Sequence, residues 1–184
     1  DAAPSADLVV RTPDLNVANF APDAGIESAL AATTTLNAQA LGTDAQRIDA
    51  TLQLDPSRIG RQSLTGGDIT LSVQSTRATV DGALTLPTGT GQARGSAALD
   101  GSEQFSLDAL RLDDVNPVAL LGDTTASRVS GTIKGRGQGF SPATMALDAS
   151  VSLRDAYYGP YRLASLTTTA RIRDGRLTSS TDAL

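Results

Sequence analysis

Alternation of apolar and polar residues recurs along this chain of 184 residues. Successive side chains of a β-strand point to opposite faces, so a period of two places the apolar side chains of one strand on one side of a sheet. The alternation is clearest in residues 45–54, 69–74, 78–86 and 145–153. Weaker windows, in which Ala, Gly or Thr fill many inward positions, are residues 30–40, 93–99, 105–112, 129–137 and 166–172. The sequence therefore predicts an all-β chain of about nine or ten strands.

Turn signals separate these windows at the spacing of about 8–12 residues that is typical of antiparallel β proteins. They are Gly66-Gly67-Asp68, Asp81-Gly82, Pro87-Thr88-Gly89, Asp100-Gly101, Tyr158-Gly159-Pro160 and Asp174-Gly175. Because the alternation runs through Asp81-Gly82, that pair is alternatively a bulge. Short connections favour hairpins, so we expect a twisted antiparallel meander.

Two segments break the alternation, residues 12–20 and 113–121. Each contains an Asp near a Pro and predicts a short helix capped by the Asp. The residues after each segment also match at an offset of about 99–100 residues, which indicates an internal repeat. Ile48–Leu54, for example, parallels Leu147–Leu153. We therefore predict one segment over residues 1–184, built from a repeat of residues 14–112 and an incomplete copy over 113–184, and cut from a longer protein.

The composition bears on what covers the apolar side of such a sheet. Hydrophobic residues make up 40% of the chain but aromatic residues only 3%, and no long amphipathic helix is predicted. We expect a sheet rolled into an open groove that accepts a foreign apolar molecule. The alternative is a structural or adhesive β-sandwich or β-solenoid module whose apolar stripes meet each other, and alternation alone does not separate the two. The predicted groove-lining residues are Ile48, Leu52, Leu54, Ile69, Leu71, Val73, Val80, Leu84, Leu99, Met145, Leu147, Val151, Leu153 and Ile172.

Charge and residue types argue against several functions. The net charge of −5 opposes binding to nucleic acid or to an anionic membrane surface. The chain has no Cys and no His, which removes disulfides, thiol chemistry, the commonest general base and the usual transition-metal ligands. Carboxylate chemistry remains, and Asp113-Asp114 is the pair to inspect for glycoside hydrolysis or Ca²⁺ binding. We interpret it as a helix cap, and expect no enzyme activity, no cofactor and no metal; a carboxylate glycosidase is the weakest alternative.

Two further motifs have simple interpretations. Residues 135–139, Gly-Arg-Gly-Gln-Gly, lack the Gly-Lys-Ser/Thr ending of a phosphate-binding loop, so we expect a flexible strand end there. Tyr157, Tyr158 and Tyr161 form the one aromatic cluster of the sequence. They predict a hairpin whose tyrosines cover a sheet edge, with stacking of a sugar or peptide as the alternative.

The sequence resembles the TamB/AsmA-like superfamily of bacterial envelope proteins. The resemblance is based on Asp14-Leu15-Asn16-Val17 with residues 30–41, Asp114-Val115-Asn116-Pro117 with residues 129–135, and Arg173-Asp174-Gly175-Arg176-Leu177. The resemblance implies a β-taco-like sheet in a periplasmic protein that is anchored in the inner membrane by a part outside this chain. It also implies phospholipid acyl chains as ligands, an outer-membrane barrel protein as a further partner, and a role in conducting lipid or assisting outer-membrane protein assembly.

Overall fold

A computed structural model describes residues 3–19, 28–59, 62–116, 118, 125–139, 145–173 and 175–183. These residues form thirteen strands of one antiparallel sheet, and one 3-10 turn over Val17–Asn19. The strands are β1 (Ala6–Leu15), β2 (Ser28–Gln39), β3 (Arg47–Leu54), β4 (Ser57–Ile59), β5 (Gln62–Leu64), β6 (Gly66–Gln74), β7 (Arg77–Leu86), β8 (Gly89–Ala98), β9 (Gln104–Val115), β10 (Ser127–Gln138), β11 (Ala146–Tyr158), β12 (Tyr161–Arg173) and β13 (Arg176–Ala183). The all-β prediction is confirmed.

The sheet is an open meander in which neighbouring strands follow one another along the chain. β3 and β4 pair with successive parts of β2, while β6 and β5 pair in turn with β3 and β4. From β6 onward each strand pairs with the next, and β1 and β13 form the two edges. Two-residue hairpins at Ser75-Thr76, Pro87-Thr88 and Gly159-Pro160 make this connectivity possible, because so short a loop joins only adjacent antiparallel strands.

Two predicted turns are wrong. Gly66-Gly67-Asp68 and Asp81-Gly82 lie inside β6 and β7, in unbroken register with their neighbours, so Asp81-Gly82 is not a bulge either. A Cβ at residue 67 would lie 2.7 Å from the carbonyl oxygen of Ala83. This glycine therefore marks a close approach of two strands, which is the other common reason for glycine in a sheet.

The predicted Asp-capped start of each short helix is wrong. Residues 12–15 belong to β1 and residues 113–115 to β9. Val17–Asn19 forms a single 3-10 turn and Val118 is helical, while residues 20, 117 and 119–121 lie outside the described part. In both places the register shifts by a bulge, and Asp114 takes the left-handed φ of 60° that Asp tolerates better than most residues. The Asp signals thus mark strand bulges, and an edge strand such as β1 accepts Pro13.

The structure contains more strands than the nine or ten predicted. The additional ones are β1, β4, β5 and β13. β4 and β5 are only three residues long, and β13 is rich in Ser and Thr, so none of these three shows a clear period of two. These strands form because they pair with a neighbouring strand, although their own sequences do not alternate clearly.

Strand positions in the two halves are related by a constant offset. β10 begins at Ser127 and β2 at Ser28, 99 residues earlier, and the starts of β11, β12 and β13 lie 99 residues after those of β3, β5 and β7. The same offset underlies the repeat predicted over residues 14–112 and 113–184. That the halves are copies of one unit stays a prediction.

The buried core lies near one end of each of the strands β2, β3, β5, β7 and β9. It consists of Leu30, Ala32, Leu54, Leu64, Leu86 and Val115, of which Leu64 is the most buried, with 2% of its surface exposed. No side chain in the described residues is buried more completely than this. The sheet is therefore one layer thick over most of its length, and its stability depends on pairing and on this terminal cluster.

Candidate functional site

The strand register assigns each side chain to a face, because directly paired residues point to the same side of a sheet. Four rows of paired residues cross the sheet from β3 to β12 or β13 on one side, which we call the apolar face. The first row is Ile48, Val73, Ala78, Ala97, Phe105, Gly137, Leu147, Ile172 and Leu177. The second is Ala50, Leu71, Val80, Gly95, Leu107, Gly135, Ala149, Ala170 and Ser179. The third is Leu52, Ile69, Gly82, Ala93, Leu110, Ile133, Val151, Thr168 and Thr181, and the fourth is Leu54, Gly67, Leu84, Gly91, Leu112, Gly131, Leu153 and Leu166.

Most of the predicted lining residues lie together in these rows. They are Ile48, Leu52, Leu54, Ile69, Leu71, Val73, Val80, Leu84, Leu147, Val151, Leu153 and Ile172. The other two lie outside the paired strands: Leu99 follows β8 and is 54% exposed, and Met145 precedes β11. The register thus places twelve of the fourteen on one surface, while their role in lining a groove stays a prediction.

Sequence reasoning missed the apolar side chains of the central strands. Phe105, Leu107, Leu110, Leu112 and Ile133 complete the rows between the two halves of the predicted set. Their signal was present in the weaker windows 105–112 and 129–137. It was obscured by the intervening glycines and by the bulge that shifts the register of β9 between Leu107 and Ala109.

Glycines and leucines interlock across the apolar face. A Cβ at Gly67 would lie 2.7 Å from Cδ2 of Leu84, and one at Gly131 would lie 2.9 Å from Cδ2 of Leu153. Each leucine therefore covers the bare backbone of the glycine opposite it. This packing gives a continuous aliphatic surface without large aromatic side chains, which accounts for the low aromatic content of the chain.

No second sheet covers the apolar face within the described residues, because all thirteen strands belong to the same sheet. Leu71 and Val80 pair with each other in the middle of the meander, and they remain 40% and 38% exposed. Buried aliphatic residues of an ordinary core retain far less exposure than this. The described chain therefore leaves the middle of the second row open to contact, whereas Leu54 of the fourth row is 5% exposed within the buried core.

The opposite side, which we call the polar face, carries hydroxyl and charged groups. Asp148 accepts hydrogen bonds from Arg171 Nε at 2.7 Å and Arg173 at 2.6 Å, and these two guanidinium groups, Arg171 first, lower the pKa of its carboxyl group. Hydrogen bonds from Arg47 and then Ser72 lower the pKa of Asp49 in the same way. Ion pairs this exposed contribute little to stability, so the face is suited to water.

Asp113 and Asp114 lie in β9, directly before its last residue. Asp113 lies in β9 opposite Thr90, while Asp114 forms an ion pair with Arg128 and its backbone N–H donates to Ser130 Oγ at 3.0 Å. Among the described residues no group of three acidic side chains is placed to hold a metal ion. The predicted helix cap is wrong, because both residues are in a strand.

The tyrosine cluster lies at the β11–β12 hairpin, as the sequence predicts. Tyr158 and Tyr161 pair directly, and Tyr161 is 74% exposed. The Arg162 guanidinium lies 5.8 Å from the centre of the Tyr157 ring, within the range of a cation–π contact. This contact involves the Tyr157 ring, whereas the Tyr161 side chain is exposed to solvent.

No protein-family model, curated protein or solved structure matches this chain. The resemblance to the TamB/AsmA-like superfamily therefore depends on the sequence features alone. The described part of the chain also contains no helix with the length and apolar character to cross a membrane.

Proposed function

We propose that this chain is a non-enzymatic segment of a cell-envelope protein and that its apolar face binds the acyl chains of phospholipids. The observation that carries the proposal is the exposure of apolar side chains in the middle of the apolar face, outside the buried core. Leu71 and Val80, at its centre, are 40% and 38% exposed, although they are surrounded by other apolar residues of the same rows. Contiguous apolar patches of this kind mark sites of contact with another molecule.

The free energy of such binding comes from burial of apolar surface. At about 25 cal/mol per Å², covering one acyl chain contributes several kcal/mol, and part of that is offset by the ordering of the chain. The rows contain no charged side chain, so no ion pair holds a ligand at one position. A bound chain is therefore free to slide along the face, which suits conduction better than storage. In this proposal the twist of the sheet curls the face into an open groove.

The wider setting follows from the resemblance to the TamB/AsmA-like superfamily. We propose a periplasmic location, an inner-membrane anchor in a part of the protein outside this chain, and an outer-membrane barrel protein as partner. The segment then conducts phospholipid between the membranes or assists outer-membrane protein assembly. Binding to the apolar face serves either role.

Uptake of a fluorescent fatty acid by the purified, detergent-free chain tests the proposal. Leu52→Asp and Val151→Asp place a charge in the third row of the apolar face, and we expect each to abolish uptake. Thr51→Asp and Ser152→Asp are the matched controls, because each lies next in sequence on the polar face and is exposed. They should leave uptake unchanged.

An uncharged variant separates loss of binding from loss of folding. Ala93→Trp fills the middle of the third row, whereas Gln92→Trp adds the same ring to the polar face. We expect only Ala93→Trp to reduce uptake, with the circular dichroism of both variants unchanged. A folded wild-type chain that takes up no fatty acid and self-associates through the apolar face would instead favour a structural module in which two such faces pack together.

A further inference from the structure

Five cationic side chains lie together on the polar face of β10–β13. Arg136 pairs with Asp148, which in turn pairs with Arg171, so these three form one row. Arg173 pairs with Arg176, and Lys134 precedes Arg136 by one alternation on β10. In a chain of net charge −5, the sheet thus concentrates positive charge in one area.

A cavity of about 760 Å³ opens on this area. Lys134, Arg136 and Arg171 line it together with hydroxyl groups such as those of Ser150 and Thr169. Its volume falls within the range of about 300–1,000 Å³ that is usual for small-molecule sites. The cavity thus combines cationic groups with neutral hydrogen-bond donors.

Asp148 engages two of these cationic groups. It accepts hydrogen bonds from Arg171 at 2.7 Å and Arg173 at 2.6 Å, so its carboxylate competes with a bound anion for both guanidinium groups. Lys134, Arg136 and Arg176 form no ion pair with any residue that the structure describes. Asp108 is the other carboxylate of the lining, so cationic groups outnumber acidic ones in the described surroundings of the cavity.

We propose that this cavity binds a small ligand that carries two or more phosphate groups. A guanidinium group donates two parallel hydrogen bonds to a phosphate, and hydroxyl groups supply further donors. Because each exposed contact is weak on its own, the ligand needs several anionic groups that engage Arg136, Lys134 and the Arg171–Arg173 pair together. The cationic side chains of the site lie on the face opposite the apolar rows, so the site does not depend on the acyl-chain proposal.

Titration calorimetry with tripolyphosphate at low ionic strength tests this site. We expect saturable binding that weakens as salt is added. The double variant Arg136→Gln with Arg171→Gln should lower the affinity by about tenfold or more, since two bidentate donors are lost. Arg47→Gln with Arg94→Gln is the matched control, because it removes the same charge from β3 and β8 on the same face. It should leave the affinity within about twofold.

A third variant distinguishes a binding role from a structural one. Asp148→Asn removes a competing carboxylate and frees two arginines, so we expect tighter binding, whereas a purely structural role predicts no gain. Vesicles of phosphatidylglycerol and of phosphatidylcholine identify the source of the phosphate. Arginine-dependent binding to the former alone indicates lipid head groups, and binding of tripolyphosphate without vesicle binding indicates a soluble ligand. Absence of binding to both, or an equal loss in the control variant, overturns the proposal.

Discussion

Leu153 lies directly opposite Gly131 in the sheet, and its Cδ2 atom is 2.9 Å from the point where a Cβ of residue 131 would stand. The carbonyl oxygen of Ser152 approaches the same point even more closely. The side-chain space of one residue is therefore filled by its neighbour on the next strand. Such pairs pack the fourth row of the apolar face within the sheet, and Leu54, Leu84 and Leu112 of that row also belong to the buried core or pack against it.

Gly131→Ala should destabilise the chain. The added methyl group meets backbone atoms that cannot move without shifting β11, so we expect a loss of about 1–3 kcal/mol in the free energy of unfolding. Gly91→Ala is the control in the same row, because its nearest neighbour, Leu112 Cδ2, is 3.9 Å away. Urea unfolding followed by circular dichroism measures both, and an equal effect of the two substitutions would contradict the interlocking described here.

Leu64→Ala should cost far more stability than Leu71→Ala. Leu64 is 2% exposed in the terminal core, so its truncation leaves a cavity and costs about 2–5 kcal/mol. Leu71 is 40% exposed on the apolar face, and its truncation removes little buried surface. Thermal or urea unfolding compares the two. Similar losses would mean that the middle of the apolar face is covered in solution.

Asn16→Ala should destabilise the start of β2. The side-chain oxygen of Asn16 accepts hydrogen bonds from the backbone N–H groups of Ala18 and Ser28, each at 3.1 Å and partly buried. Their loss should cost about 1–3 kcal/mol and speed hydrogen exchange at the Ser28 amide. Asn16→Asp keeps a side-chain oxygen as acceptor, so the Ser28 amide should still exchange slowly. The control Asn37→Ala removes only exposed side-chain contacts and should leave Ser28 protected.

Asp148 should titrate below its ordinary pKa of 3.8, because Arg171 and then Arg173 favour its charged form. A carboxyl group whose pKa is lower in the folded state stabilises the fold above its unfolded pKa, and this contribution is lost as the pH falls through the folded pKa. Arg171→Gln should raise the titration midpoint toward 3.8. Carboxyl-carbon NMR measures the change, with Arg94→Gln as a control that should leave Asp148 unaltered.

Local pattern predicted the strands that carry a period of two and missed those that do not. Each of the nine alternating windows overlaps a strand, from β2 to β12, whereas β13 and the three-residue β4 and β5 gave no usable signal. The sequence predicts helix caps at the Asp residues near positions 14 and 114. In the sheet these residues lie at bulges, because pairing with β2 and β10 outweighs the local preference for a cap.

The sequence by itself determined which side of each strand is apolar, because that property depends only on the order of residues within one strand. The tertiary structure determined which strands are neighbours and which of their side chains lie side by side. The register, set by hairpins and by bulges such as that at Asp114, aligned Leu54, Leu112 and Leu153 in one row and collected Arg136, Arg171 and Arg173 on the opposite face. The buried core covers part of the fourth row and leaves Leu71 and Val80 of the second row exposed, and no period within a strand encodes what packs against its face.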